Sequence, residues 1–276
     1  MHPSKVREIC RAGTKEFAMK MKSLFNWDTP PRIDTPELID DPNQPAADFK
    51  ASMTDVQRAN RFLGGSSVVR RQSAKWLHAA KSAPNFEGRP VTFLDVATGS
   101  GDLPKVILDE ARREKVPVRI AGLDFSAPIL RFAREEVREW NDFRLIRGDA
   151  FRLPFADESV DYVLCSLAFH HLGFEGSVRV LREMERVARR GWLVNDLRRA
   201  WSAWFLFRAV SALLKMNRLT RHDGPASVLR AYSIPEYRSM PEALGLRKGQ
   251  DFHIRRSLFY RVAIVREKTK CDRLLP

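Results

Sequence analysis

The spacing of apolar residues changes repeatedly through the middle of the chain, from short continuous runs to helical spacing and back. Short apolar runs predict strands over residues 91–96, 116–124, 143–148, 160–167 and 192–197. Apolar residues at helical spacing predict helices between them, over residues 102–113, 126–140 and 177–189. Ser126 is the expected N-cap of the second of these helices. Alternation at this spacing is typical of a mostly parallel sheet with helices on both faces.

The segments before the first strand have other patterns. Residues 1 to about 26 predict a basic amphipathic helix. Residues 29–44 are proline-rich and acidic, which indicates a linker or an irregular wrap. Residues 46–83 predict two helices, with a break at Gly64 and Gly65.

An aromatic-rich helix over residues 201–216 follows the fifth strand. A polar loop, a short helix near residues 235–244 and two strands over residues 252–256 and 258–265 complete the pattern. We therefore expect an α/β fold: a Rossmann-like, doubly wound, mostly parallel seven-stranded sheet with a C-terminal antiparallel strand pair and extra N-terminal helices. Residues 1–85 would form a helical N-terminal extension. Residues 86–276 would form the main domain, with a helical insertion at about 200–222.

The turn after the first strand carries the clearest chemical signal. The run VTFLDVATGSGDLP, residues 91–104, ends its apolar part in Asp95 and continues through Gly99 and Gly101 into a helix. Glycine permits the backbone angles of a sharp strand-to-helix turn and leaves room for a ligand against the backbone. We expect a nucleotide-sized hollow above this turn, and we expect Gly101→Val to fill it.

Two further acids stand at the ends of strands. Asp124 ends the second strand, and Asp149 follows the third within GDAFRLPF. Ligands of open α/β sheets bind at the carboxyl ends of the strands, where an acid can accept the hydroxyl groups of a ribose. Asp149, or the amide of Ala150, can reach an adenine edge from there.

The positions of the glycines in this turn help to distinguish which nucleotide ligand it would bind. The third glycine position of a dinucleotide-binding turn is taken by Pro104, and the helix opens with Asp102. A carboxylate at a helix N-terminus repels a pyrophosphate. A sulfonium ligand without phosphate meets no such repulsion, so the register favours S-adenosylmethionine over a dinucleotide.

The segments LDVATGSGDL, GLDFSAPIL, GDAFRLPFADESVDYVLCSLAFHHL and LREMERVARRGWLVND together resemble the consecutive motifs of class I S-adenosylmethionine-dependent methyltransferases. The similarity is greatest to the ubiquinone/menaquinone-type C-methyltransferases and related small-molecule methyltransferases, and it covers about residues 91–199. One departure is the loop before the fifth strand, which in that family is usually Pro-Gly-Gly. Here the loop is Ala188-Arg189-Arg190-Gly191.

The resemblance implies a role for each motif residue. The methionine end of the cofactor would meet Asp95 and the backbone of Ala97, Thr98, Gly99 and Gly101. The ribose would meet Asp124, and the adenine would meet Phe125, Asp149 and Ala150. Leu167 would lie near the methyl-bearing sulfur.

Candidate acceptor-side residues follow the fourth and fifth strands. His170 or His171 can take a proton near neutral pH, although either can also be a structural, hydrogen-bonded histidine. Asn195 and Asp196 can orient an acceptor, or cap the next segment. Trp201 and Trp204 make the next helix a wall for an apolar acceptor, an interfacial helix, or a helix that simply packs on the core.

Composition narrows the class of protein. The chain has 276 residues and a net charge of +14, which attracts anions of many kinds without choosing among them. Its three cysteines are far apart and predict neither a disulfide framework nor a metal clip, and no metal site is expected. No secretory signal or membrane span is visible. We expect a cytoplasmic location, with peripheral membrane contact left open.

The leading hypothesis is methyl transfer to carbon or oxygen of a small, apolar or aromatic acceptor. An RNA or protein methyltransferase is the first alternative, motivated by the charge. The chain has no recognisable RNA-binding module, so a nucleic-acid partner is not expected, and Asn195-Asp196-Leu197-Arg198 lacks the Pro-Pro-aromatic signature. The second alternative is a non-catalytic cofactor-binding protein with a membrane-associated or regulatory role.

Overall fold

Seven strands form one mixed sheet in the computed structural model, which describes residues 29–41, 43–83 and 88–268. The strands are β1 (Val91–Val96), β2 (Val118–Asp124), β3 (Phe143–Arg147), β4 (Val160–Ser166), β5 (Ala188–Leu197), β6 (Phe252–Ser257) and β7 (Arg261–Glu267). Their order is β3-β2-β1-β4-β5-β7-β6, with β1 to β5 parallel and β7 antiparallel to both neighbours. The predicted fold class is confirmed. The predicted helix over residues 1–26 lies outside the described residues.

Helices cover both faces and one edge of the sheet. They are α1 (Ala46–Phe62), α2 (Gly65–Lys81), α3 (Asp102–Glu114), α4 (Ala127–Val137), α5 (Gly173–Val187), α6 (Trp201–Leu213), α7 (Arg218–Arg230) and α8 (Ile234–Glu242). The first face packs on α2, α3 and α4, and the second on α5 and α8. Ser126 caps α4 as predicted, because its side chain accepts a hydrogen bond from the Ile129 amide.

The second N-terminal helix is part of the core of the sheet. Trp76 of α2 stacks on Tyr162 of β4 with ring centroids 4.3 Å apart, and Leu77 is fully buried. Aromatic stacking of this kind adds to the stabilisation from apolar burial. The domain boundary near residue 85 stays a prediction, but α2 belongs to the layer that covers the first face.

The sequence pattern predicts a polar loop after the aromatic-rich helix. That prediction is wrong for residues 218–230, which form the helix α7. Gly224 and Pro225 inside the segment lower its helix propensity, so the sequence pattern hides it. The glycine is required by packing, because a Cβ at Gly224 would overlap the ring of Phe207 on α6. Asn217 caps the helix by accepting from the Leu219 amide. The helical insertion after β5 therefore extends beyond residue 222.

Polar contacts fasten α1 to α7 above the carboxyl edge of the sheet. The hydroxyl groups of Ser52 and Thr220 lie 3.0 Å apart, and the Asn217 amide donates to Asp55 at 2.7 Å. With α6, these two helices form a cap over the ends of the parallel strands. The cap and that sheet edge enclose the candidate active site.

Gly101 serves packing rather than ligand access. Its φ is +79°, and a Cβ there would lie 2.8 Å from Val137 Cγ1 of α4 and 3.4 Å from the ring of Phe143. Gly101 does not line the cavity at the sheet edge. The expectation that a side chain at this position would fill the nucleotide hollow is therefore wrong, because the Cβ direction is toward α4 and β3.

We predict that Gly101→Ala destabilises the protein by about 2–4 kcal/mol, since it combines left-handed strain with overpacking. The matched control is Gly249→Ala, where φ is +85° and a Cβ meets no atom within 4 Å. The control should lose only about 1 kcal/mol from strain. Urea unfolding without cofactor measures both, and equal losses would contradict the packing role.

Candidate active site

One cavity of about 1900 Å³ lies between the carboxyl edge of the sheet and the cap. Sites for a single small molecule usually measure about 300–1,000 Å³, so this cavity has room for two ligands. The loops after β1, β2 and β4 form its floor. The segment before α1, together with α1, α6 and α7, forms its roof and walls.

The β1–α3 loop presents backbone to the cavity. Ala97 and Gly99 have φ values of 55° and 57°, so this loop turns through the left-handed region. A Cβ at Gly99 would meet no atom within 4 Å, which leaves the backbone open to a ligand. The loop is held by Thr98, which donates to Asp95 at 2.8 Å, and by the Gly99 amide, which donates to Asp124 at 3.1 Å.

Three carboxyl groups lie around this loop, and only Asp102 feels a cation of the described residues, Arg261. Burial, together with the neighbouring Asp102 and Asp124, raises the pKa of Asp95 to about 8. Burial also raises the pKa values of Asp102 and Asp124. One oxygen of Asp95, Oδ1, is buried without a hydrogen-bond partner in the described part of the chain. Such a cluster favours a cationic ligand, because a positive charge relieves the repulsion among the acids.

Asn60 and Arg261 join the cap to the loop, and the sequence reasoning missed both. The Asn60 amide group donates to Asp102 at 3.0 Å and accepts from Arg261 at 3.1 Å. Ser100 donates to the other carboxylate oxygen of Asp102 at 2.9 Å. These contacts fix α1 against the start of α3. No sequence signal relates the three elements, because their meeting depends on the tertiary fold.

The predicted adenine-side residues lie along the same cavity. The side chain of Phe125 is 76% exposed there, and Asp149 and Ala150 line the wall beside it. The Asp149 carboxylate accepts from the Phe151 amide at 2.8 Å. Leu167, with φ of 54°, lines the cavity after β4. The cavity thus brings together every predicted cofactor residue except Gly101.

His170 is held in a buried pair with Asp196. Its Nδ1 lies 2.7 Å from Asp196 Oδ1, and its amide donates to Asp196 Oδ2 at 3.3 Å. Burial alone would lower the pKa of His170, but the charges of Asp196 and Glu37 raise it above its ordinary value. Because Asp196 accepts at Nδ1, the second ring nitrogen Nε2 is left to exchange a proton.

Glu37 enters the site from the segment before α1. Asp223 of α7 holds this segment by accepting from the amides of Leu38 and Ile39 at 2.8 and 2.9 Å. Glu37 Oε1 then accepts from Ser227 at 2.6 Å and lies 3.9 Å from His170 Nε2. Burial raises the pKa of Glu37. The sequence placed Glu37 in a linker and gave no signal of this role.

Arginine and histidine complete the cluster. His171 Nε2 lies 3.8 Å from Glu37 Oε2, and burial, with His170 and Arg230, lowers the pKa of His171 to about 2. Arg32 donates to the His170 carbonyl at 3.2 Å. Arg230 of α7 lines the cavity, and its Nε and Nη1 are buried without hydrogen bonds among the described residues. It therefore has free donors for an anionic group.

The same cluster has the donor types of a metal site. One ligand atom each of Glu37, His170 and His171 lies within 4.8 Å of the others. However, Arg230 Nη1 lies 3.8 Å from Glu37 Oε1, and its charge repels a cation. We interpret the cluster as one that handles protons and anions, and the expectation of no metal site stays a prediction.

Four tentative acceptor residues lie outside the cavity lining. Asn195 is fully buried and donates to Ser166 at 3.3 Å, and Asp196 reaches the cavity only through His170. Trp201 and Trp204 also lie outside the lining, because α6 is turned so that another stripe faces inward. That stripe is Ala203, Leu206, Phe207 and Val210.

Comparisons with known proteins agree with this geometry. Residues 94–194 match the family model described as a methyltransferase domain. A demethylmenaquinone methyltransferase from Bacillus licheniformis is 32% identical over 143 residues, which cover 52% of this chain and 59% of the relative. One from Thermotoga maritima is 38% identical over 105 residues, which cover 38% and 42% of the two chains. The chain thus spans about half the length of these curated relatives.

A solved structure supports the same fold over a longer stretch. The S-adenosylmethionine-dependent methyltransferase from Aquifex aeolicus superposes with a TM-score of 0.51 at 18% identity, covering 79% of this chain and 97% of that one. The resemblance to methyltransferases inferred from the sequence motifs is therefore confirmed over residues 94–194, and the solved structure shows a fold of the same kind.

Proposed function

We propose that this protein is an S-adenosylmethionine-dependent methyltransferase acting on carbon or oxygen of a small, apolar or aromatic acceptor with an ionisable hydroxyl group. A single observation carries the proposal: one cavity joins the acidic loop around Asp95 and Asp124 to the buried His170. A methyl donor and an acceptor can meet there away from bulk water, which favours an aligned displacement.

The acidic end fits the cofactor by charge and shape. S-adenosylmethionine carries an ammonium and a sulfonium group, which suit the unpaired oxygen of Asp95 and the neighbouring acids. Asp124 would hold the ribose, the open backbone at Gly99 would accommodate the ligand, and the adenine would cover Phe125. When bound, the cofactor supplies a methyl group on a positively charged sulfur.

His170 is the residue to which we assign removal of the acceptor proton. Asp196 fixes the ring through Nδ1, so the neutral imidazole presents the Nε2 lone pair. The charges of Asp196 and Glu37 stabilise the imidazolium once the proton has arrived, which is why the pKa of His170 is raised. The proton therefore passes from the acceptor hydroxyl to His170 Nε2.

Arg230 meets the charge that remains on the acceptor. Its side chain is buried and lines the cavity, and its Nε and Nη1 have no hydrogen-bond partner among the described residues, although Glu37 and Asp34 lie at ion-pair distance. A fixed positive charge in a site shielded from water stabilises an oxyanion or the conjugated carbanion more strongly than it could in water. Methyl transfer to that oxygen or carbon completes the reaction.

The cavity walls favour an apolar acceptor body. Phe49, Met53 and Val56 of α1 line the same cavity as the inward stripe of α6. The curated relatives are named for demethylmenaquinone, and a quinone-type ring compound suits such walls. Ionisable hydroxyl groups on such a ring would reach the polar cluster at His170 and Arg230.

The function is tested by incubating the protein with isotopically labelled S-adenosylmethionine and a metabolite extract, followed by mass spectrometry. We expect label in an apolar product with a phenolic or enolic oxygen, at carbon or oxygen of that ring. Label in RNA or protein fractions instead would favour the alternative substrate classes. Absence of cofactor binding by calorimetry would refute the proposal.

Substitutions at the acidic end should weaken cofactor binding. We expect Gly99→Val to abolish it, because its methyl groups would enter the cavity. Asp124→Ala should weaken it by about 1–3 kcal/mol through loss of charge-assisted hydrogen bonds. The control is Asp109→Ala on the exposed side of α3, which should bind normally. Calorimetry measures all three, and wild-type affinity in both site variants would show that the site is misplaced.

The pH dependence of kcat/KM reports on His170. Activity should rise with pH through a pKa above 6.5, because the raised pKa of His170 keeps it protonated and inactive below that value. Asp196→Asn removes the charge that raises this pKa, so the rising limb should move to lower pH. His170→Gln should lower kcat by about 10²–10⁴-fold and remove the limb.

The matched control for this experiment is His78→Gln, an exposed histidine on α2. It should leave both rate and pH profile unchanged. If kcat/KM still rose over the same pH range in both His170→Gln and Asp196→Asn, the titrating group would be a residue other than His170.

A further inference from the structure

The side chains of α6 are distributed in an unusual way. Its buried residues are the small Ala203 and Ser211, whereas Phe205 is 62% exposed and Leu213 is 80% exposed. Trp201 is 38% exposed and lies one turn before Phe205 on the same side of the helix, and Leu213 extends the exposed apolar surface at the C-terminal end. We call these three residues, with Leu214, the outer face of α6. A helix that is apolar on its outward side is poorly suited to water.

The outer face continues toward the mouth of the cavity. Leu206 is 41% exposed and also lines the cavity. The β6–β7 turn adds Leu258, 79% exposed, and Phe259, 45% exposed, of which Phe259 lines the cavity. Tyr260 of this turn packs with Ala203 in one small apolar cluster, so the turn lies beside α6. An apolar surface thus leads directly into the site.

A basic cleft borders the outer face. It has a volume of about 600 Å³ and includes no acidic residue among its lining residues. Arg208 lies over the ring of Trp204 at 5.2 Å, and Arg221 stands on the α7 side. Within the described residues neither arginine has a carboxylate at salt-bridge distance, whereas Arg218 pairs with Asp48 at 2.8 Å. Within the described part of the chain, Arg208 and Arg221 therefore leave positive charge in the cleft without an acidic partner.

We propose that α6 docks this protein on an anionic lipid bilayer, with its outer face in the acyl boundary and the cleft at Arg208 and Arg221 against lipid phosphates. The inference that the acceptor enters the cavity from the bilayer rests on the proposed function, but the docking itself does not. An apolar helix face flanked by arginines suits a bilayer surface, where the acyl chains are apolar and the headgroups above them carry negative charge. None of the helices in the described ranges has the length and apolar content to cross a membrane, so this contact is peripheral.

Charge disfavours two other occupants of the face. A second copy related by two-fold symmetry would present the same patch, and the lining of the cleft in that patch includes no acidic residue to meet Arg208 and Arg221. Residues 1–28 carry six Lys and Arg against three Asp and Glu, so they would also add like charge to the cleft. An anionic bilayer supplies both apolar volume and opposite charge.

The test is co-sedimentation of the full chain with vesicles, without cofactor or acceptor. We expect binding to phosphatidylcholine vesicles that contain phosphatidylglycerol, and weaker binding to phosphatidylcholine alone. The double variant Phe205→Glu/Leu213→Glu should lower the partition coefficient by at least about tenfold, because it removes apolar insertion and adds like charge to the lipid. Arg208→Gln/Arg221→Gln should lower it mainly at low salt.

Two control variants test whether the effect depends on where the substituted residues lie rather than on the type of residue that is changed. Phe174→Glu changes an apolar side chain, 36% exposed, on α5, outside both cavities. Arg70→Gln/Arg71→Gln removes two exposed charges from α2, also outside both cavities. Both controls should sediment like the unmodified chain. Unchanged unfolding midpoints and cofactor affinity in all variants would show that the fold is intact.

Three results would overturn the docking proposal. The first is equal vesicle binding by the outer-face variant and the unmodified chain. The second is a change from dimer to monomer in that variant by analytical ultracentrifugation, which would make the face a protein interface. The third is loss of binding only in Lys20→Gln/Lys22→Gln, which would assign it to the N-terminal segment. Vesicle binding without any cofactor binding would instead refute the proposed function and leave the docking intact.

Discussion

Parallel pairing of β1 with β2 and β4, and of β4 with β5, is the constraint on which the rest of the molecule depends. It aligns Val96 with Leu123 and Cys165, and Ser166 with Asn195, so that four strands end at one edge. Each chain segment must turn there, and polar side chains at those turns converge. The loop at Gly99, the carboxylate of Asp124 and the His170–Asp196 pair are all consequences of this single register.

Two buried aspartates on neighbouring strands show how charge distinguishes a structural acid from a ligand site. Burial raises the pKa of Asp161 on β4, but hydrogen bonds from Thr92 and the charges of Arg89 and Arg189 outweigh it and hold the pKa below its ordinary value. Asp95 on β1 is equally buried, yet no arginine of the described residues faces it and its pKa rises to about 8. The described part of the chain supplies counter-charge to Asp161 but not to Asp95. This difference supports our proposal that the cationic cofactor lies beside Asp95.

The sequence predicted the sheet and most of the residues that line one end of the cavity, because strand period, glycine position and strand-end acids are local signals. It could not predict Glu37 or Arg230, since their approach to His170 depends on how the cap folds over the edge. It expected a side chain at position 101 to enter the hollow, whereas the Cβ direction of Gly101 is toward Val137, and it left three environments open for the tryptophans on α6. A helix with apolar residues on every side has no polar stripe to fix its rotation, so tertiary packing alone turned Phe207 inward and Trp201 outward.

That rotation gives α6 two apolar sides with different environments. Phe207 and Val210 wall the cavity, while Phe205 and Leu213 face outward, and only one charged residue, Arg208, interrupts the helix. On its neighbour α7, Arg221 lies at the outer cleft and Arg230 lies at the cavity. Apolar surface therefore runs along α6 from the outer face to the cavity and ends at the polar cluster around His170. For the function that we propose, the two helices would keep the apolar body of the acceptor apart from the groups assigned to its hydroxyl.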